Sequence, residues 1–247
     1  MKQAQALLQG FWSPERLQTM LDALLFHYMP MTVRPPAMCT QRASPPMQRK
    51  ELSEWAHSPE DLYHELESAP EDADRLRPAA ERLWLHAARH HTQAVVACLG
   101  RRLPEVLAGA PLGAPHATGP GDANVVRKAA AYSAVGLAAG DLHDHLHGFR
   151  ELLHGTLMSD MECTAPATRP VQRQAMKLVA QWCSKLEPGD RPPLYALLVT
   201  AMHGDDVVVA LTAARSLHTL VDDWCAACSA CVCALHSPCA GVLRSST

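Results

Sequence analysis

The sequence predicts an all-α fold of stacked helix pairs. Three observations carry it. Hydrophobic residues make up 48% of the 247 residues but aromatics only 5%, so the core must be built from Ala, Leu and Val, which suits helices better than strands. Apolar residues recur at i, i+3, i+4 and i+7 in segment after segment, and no strand-type alternation competes. The second helices of successive pairs start near residues 123, 170 and 206, about forty residues apart. That is the period of HEAT/armadillo-type repeats, whose units stack into an α–α superhelical solenoid because no pair buries its apolar face alone.

The elements follow in chain order. Ser13 and Pro14 read as an N-cap and a first-turn proline, and the helix after them carries Leu17, Met20, Leu21, Leu24, Leu25 and Tyr28 on one face. Residues 33–49 hold two Pro-Pro pairs and no periodicity, so they read as a loop or insertion. Residues 51–74 are acidic, with Trp55, Leu62, Tyr63 and Leu66 as anchors. They read as a surface excursion with a helical turn or two. A helix resumes at Leu76 and keeps its period through Leu83, Trp84, Ala87, Ala88, His91, Val95 and Leu99. A Gly/Pro/Ala linker fills 108–122.

A small-residue helix follows, with Val125, Ala129, Tyr132, Gly136 and Ala139 in register, and another over 147–161 with Phe149, Leu152, Leu153 and Leu157. Val171, Ala175, Leu178, Val179, Trp182 and Leu186 stripe the next. Pro192 and Pro193 start a further helix, striped by Leu194, Leu197, Leu198, Ala201 and Met202 and stopped at Gly204. In the last helix Val207, Ala210, Leu211, Ala214, Leu217 and Val221 are expected to face inward, and Asp206 to cap the exposed N–H groups.

Composition narrows function. A net charge of −3 with 19% charged residues shows no basic excess for nucleic acid or anionic lipid. No apolar run is long enough to span a bilayer, and "MKQAQALLQGFW" is a poor secretory signal. The chain reads as intracellular. Four of the nine cysteines are scattered, as reduced thiols would be, and five lie between Cys225 and Cys239.

Several segments together resemble one family. "ELSEWAHSPEDLYHE" (51–65), "KAAAYSAVGLAAGDLHD" (128–144), "RPVQRQAMKLVAQW" (169–182) and "RPPLYALLVTAMHGDDVVVALTAARSLHTLVDDW" (191–224) are similar, in order and spacing, to the importin-beta (karyopherin-beta) nuclear transport receptors, most closely those of the importin-eleven type. The resemblance covers about residues 14–224 and ceases after Trp224.

It implies a HEAT superhelix much longer than this chain, of which this is an internal portion without the N-terminal repeats that carry the family's principal Ran surface. It also implies protein cargo, Ran-GTP and Phe-Gly nucleoporins as partners, residence in nucleus and cytoplasm, and recognition without covalent chemistry or cofactor. In the family an Arg of the second helix pairs with an Asp of the neighbouring repeat. Arg173 matches that role, while Ala210 stands where another Arg is expected. The implied division is a partial repeat in 1–32, a Pro-rich and acidic insertion in 33–75, HEAT repeats in 76–224 and a Cys-rich tail in 225–247, disordered or non-native.

Other chemistry finds little footing. Cys225, Cys228, Cys231, Cys233, Cys239 and His236 could supply metal ligands, but C-x2-C-x2-C-x-C fits neither the ferredoxin spacing nor paired zinc ligands across a longer loop. His143 and His147 would share a helix face, yet "DLHDHLHG" reads as a solvated inter-helix loop, and His90 and His91 are read likewise. The Gly-rich segment 108–122 lacks the Lys-Ser/Thr pair of a phosphate loop. Trp55, Trp84 and Trp182 read as core residues. The acidic stretch 51–74 is the best candidate for a binding element, since function gathers on long loops over rigid scaffolds. The alternatives to a transport receptor are a HEAT scaffold outside transport and a metal-binding protein using the Cys tail.

Overall fold

The computed structural model describes residues 13–29, 55–67, 76–108 and 123–236, with the side chains of Glu65, Leu76 and Ala123 and those beyond Cys225 excepted. Among these residues there is no strand. Helix α1 (Pro14–Ala23) continues through a π-turn at Leu24–Tyr28, and Ser13 Oγ accepts the Arg16 N–H as the cap. Helix α2 is Pro59–Glu67, α3 is Leu76–His90, α4 is Thr92–Leu107, α5 is Ala123–Leu137 and α6 is Ala139–Leu142. Helices α7 (Phe149–Leu152) and α8 (Met158–Glu162) are joined by a π-turn, Leu153–Leu157. Then come α9 (Arg169–Gln181), α10 (Arg191–Met202) and α11 (Val207–His236). The linker 109–122, residues 1–12 and 30–54, residues 68–75 of the acidic stretch, and 237–247 with Cys239 lie outside the described residues.

The chain is an all-α helical repeat solenoid. Helices α5, α9 and α11 stack side by side, α8 packs on α9, and α10 packs on α11 and reaches α8. These are two layers of antiparallel partners, each pair closing the core of the one before it. Small residues make the closest contact: a Cβ added at Gly136 of α5 would meet the Gln181 side chain of α9 at 1.9 Å. Large side chains fill the gaps behind it. Trp84 and Trp182 are fully buried, and each indole N–H donates to a carbonyl of α5, Ala134 O at 2.9 Å and Val135 O at 3.3 Å. Trp182 also stacks on Phe149, with ring centroids 4.9 Å apart. All three tryptophans read as core are buried, Trp55 included.

The helix expected to run unbroken from Leu76 turns at His91, whose backbone (φ −135°, ψ 41°) is not helical. Thr92 Oγ1 takes the Ala88 carbonyl at 2.7 Å, a side-chain bond that competes with helix continuation. The corner lets Trp84, Ala87 and Ala88 on one side and Val95, Cys98 and Leu99 on the other enter the same core.

Residues 51–74, expected as a surface excursion, contain the nine-residue helix α2, which packs on α11 with Leu62 fully buried. After Trp224, where the resemblance ends, α11 continues without a break to His236.

In α11 the expected inward face is off by about one residue. Val208, Val209, Thr212, Ala213, Ser216 and Leu220 are buried, while Val207 (37%), Leu211 (39%) and Val221 (42%) are exposed. The start of α11 is apolar on most sides, so periodicity offers two stripes and only packing against α9 and α10 chooses between them. Met202 of α10 is likewise exposed.

One buried ion pair is a test of the stacking. Lys128 Nζ of α5 straddles the Asp160 carboxylate of α8, 2.9 Å from Oδ1 and 2.8 Å from Oδ2, and the Tyr132 hydroxyl donates to Oδ2 at 2.6 Å. Burial first, and the Asp160 charge second, push the Tyr132 hydroxyl far above its ordinary value. Lys128→Met is expected to cost about 3–5 kcal/mol, because it strands a buried carboxylate. The double change Lys128→Met/Asp160→Leu should cost less than the single one. Urea unfolding of the two variants checks the order, and a double variant less stable than the single would contradict it.

Candidate recognition face

Asp206 organises one end of the face. Its carboxylate accepts the Val209 N–H at 2.9 Å and so caps α11, as its position in sequence predicts. The same carboxylate accepts the Trp55 indole N–H at 2.9 Å and pairs with Arg169 Nε of α9 at 3.0 Å. The N-terminal ends of α9 and α11 and the start of the acidic segment therefore meet at one side chain.

Glu67 closes the other end. One oxygen pairs with Arg173 Nη2 and with Lys177 Nζ at 2.8 Å, both on α9, and the other with Arg215 Nη1 of α11 at 2.9 Å. Residues 55–67 thus lie lengthwise over α9 and α11, pinned at both ends, with Leu62 plugged in between. Burial pushes the Glu67 carboxyl up, but Lys177, Arg173 and Arg215 together outweigh it and hold it below its ordinary value. Burial also lowers the Lys177 ammonium, and the Arg173 charge beside it adds to that. Glu81 of α3 is raised by burial, opposed by Arg77, Lys177 and Arg173.

Arg173 is assigned by resemblance to a ladder with an Asp of the neighbouring repeat. It is buried on α9 and pairs with Glu67 of α2 instead. Ala210 carries no rung, and the cation that α11 contributes is Arg215, a turn and a half further on. Neither partner was legible in the sequence, because Glu67 lies more than a hundred residues from Arg173.

Other polar clusters serve packing. Arg191 Nη2 of α10 reaches Asp223 Oδ2 at 2.7 Å, and its guanidinium lies 5.0 Å from the Trp224 ring centroid. That clasp accounts for the "VDDW" word. Asp22 of α1 is bound by Arg102 at 2.7 Å and Arg101 at 3.1 Å, both on α4. The hydrogen bond from Arg102 is the main reason its carboxyl falls to about 2. Arg102 and Arg127 both lie over the Phe26 ring, beside a cavity of about 310 Å³.

His143 follows the end of α6 and shares a 2.7 Å hydrogen bond with Ser184 Oγ, while His147 lies beyond the turn, so the two do not share a helix face. His91 sits at the α3–α4 corner, and the His90 ring lies 4.4 Å from that of His86. Among the described residues no three His, Cys, Asp or Glu side chains lie together as metal ligands would, and no helix is long and apolar enough to cross a membrane. Cys225 is exposed. The side chains of Cys228, Cys231, Cys233 and His236 lie outside the described residues.

Both carboxylates give the protein an acid limit. A carboxyl whose folded value lies below its unfolded one stabilises the fold above the unfolded value and stops doing so as pH falls through the folded one. For Asp22 that window runs from 3.8 down to about 2. For Glu67 it opens below 4.5. Asp22→Asn should therefore flatten the loss of stability between pH 4 and pH 2. Urea titrations at both pH values check this, and an unchanged slope would contradict it.

The chain is similar to Importin-11 of Mus musculus and to Importin-11 of Homo sapiens, 28% identical to each over 177 residues. The match takes in 71% of this chain but only 17% of either relative's length. No family model and no solved structure matches the chain. The similarity, carried by an all-α repeat solenoid, supports a relationship to the importin-beta family of nuclear transport receptors.

Proposed function

We propose that the chain is an internal HEAT-repeat portion of a nuclear transport receptor of the importin-eleven type, which binds protein cargo and Ran-GTP for nucleocytoplasmic import. The similarity to Importin-11 over 177 residues carries this reading. The stacked helix pairs support it, since a solenoid offers an extended surface and changes curvature at small cost. The work is recognition without covalent chemistry. Cargo and Ran-GTP would each stabilise a different curvature, so that one weakens the other by linkage. Phe-Gly nucleoporins are further partners of the whole receptor, and nucleus and cytoplasm are its places of residence.

In this reading residues 1–32 form part of a repeat and 76–224 the repeats proper. Residues 33–75 are an insertion between them that includes the docked helix α2, and 225–247 are an appended tail.

The test is made on the whole receptor that contains this segment. It should bind immobilised Ran loaded with a non-hydrolysable GTP analogue at least tenfold more tightly than Ran-GDP, and Ran-GTP should release bound cargo. Absence of nucleotide preference would overturn the transport reading and leave a HEAT scaffold of another use.

A further inference from the structure

The rings of His86 and His90 lie side by side on the outer face of α3. Four residues apart on a helix, they share one stripe a turn apart, and both are exposed. Their centroids are 4.4 Å apart and their planes are tilted by 44°. Among the described residues neither ring makes a hydrogen bond or an ion pair, so the nitrogens of both remain available.

That spacing selects what the pair can hold. Two imidazoles bound to one ion at a right angle, with nitrogens about 2.0–2.1 Å from it, place their ring centres about 4.5 Å apart. A tetrahedral angle spreads the centres to about 5 Å. The two rings therefore stand close to the adjacent positions of a tetragonal or octahedral ion, and further from those of tetrahedral zinc. Nitrogen and oxygen ligands in a tetragonal arrangement suit Cu(II) and Ni(II).

The surroundings also suit a cation. His90 is the last residue of α3, and the carbonyl end of a helix dipole favours positive charge. The nearby guanidiniums on α3 are already engaged: Arg89 lies 3.8 Å from Asp141, and Arg82 has an interaction of its own. The backbone that carries both histidines is fixed, because Trp84, Ala87 and Ala88 of the same helix are buried in the core. Binding an ion then orders two side chains and no backbone, which keeps its entropic cost small.

We propose that His86 and His90 form a two-histidine site for a divalent transition-metal ion, Cu(II) or Ni(II), with water in the ion's remaining positions. One imidazole alone holds such an ion weakly. The second acts as an intramolecular ligand, and its fixed position raises the affinity of the pair above that of either ring. The site goes beyond the transport reading and does not need it: metal binding and Ran binding are separate measurements, and either can fail alone.

The test is a Ni(II) titration of the nitrogen-15-labelled chain followed by NMR, with accessible thiols first capped by N-ethylmaleimide so that cysteines do not compete. Paramagnetic broadening locates the ion. Amides around His86 and His90 should broaden before those of any other segment. His86→Gln and His90→Gln should each raise the Ni(II) concentration for half-broadening there by about tenfold or more, because one ion needs both rings. His145→Gln, which removes an exposed histidine outside the pair, should leave it unchanged. Both positions of the pair are exposed, so the variants should keep the circular dichroism of the unaltered chain. The proposal is overturned if broadening near His90 persists at the same Ni(II) concentration in either single variant, or if another segment broadens first.

A second measurement counts the ligands. With one equivalent of Cu(II), electron-spin-echo modulation of the capped chain should show two coordinated imidazoles, falling to one in either single variant. A single imidazole in the unaltered chain, or two that survive both substitutions, would end the proposal.

Discussion

The seating of α9 between α5 and α11 is the contact on which the rest of the chain depends. Nine of its thirteen residues are buried, more than any one apolar stripe supplies, so polar side chains go inside as well. Gln172 meets this by donating to the Met161 carbonyl of α8 at 2.9 Å. Arg173 meets it by pairing with Glu67. A buried guanidinium without a carboxylate would be strongly unfavourable, so the demand made by α9 recruits α2 from more than a hundred residues away. The acidic segment follows from the burial of the central helix.

The same stacking explains the tryptophans. Each pair must meet the next with its backbone dipoles satisfied, and α5 ends where helical carbonyls lose their intrahelical partners. Trp84 and Trp182 supply N–H groups near that end while filling volume that alanine-rich helices leave open. A core poor in aromatics thus concentrates the few it has at junctions. Phe149 and His143 lie against Trp182, so the start of α7 and the turn after α6 are positioned by one ring.

One outer face of the stack stays apolar: Val199 and Met202 of α10 and Val207, Leu211 and Val221 of α11 are exposed. Apolar exposure of this kind is normal at a face where a neighbouring pair would stack. The chain spans 17% of the length of the relatives it matches.

The sequence by itself determined the helical class, the order of the elements, the caps at Ser13 and Asp206 and the burial of three tryptophans. Those follow from local propensity, period and hydrophobicity, which act over a few residues. Tertiary structure alone decided the rest. It turned the Leu76 helix at His91, because the corner brings both halves into one core. It selected Val208, Thr212 and Leu220 over Val207, Leu211 and Val221, because a helix apolar on most sides has no inward face until a neighbour supplies one. It joined Glu67 to Arg173, Lys177 and Arg215, because charge pairing across a hundred residues is set by which helices stack and leaves no periodic trace in the chain.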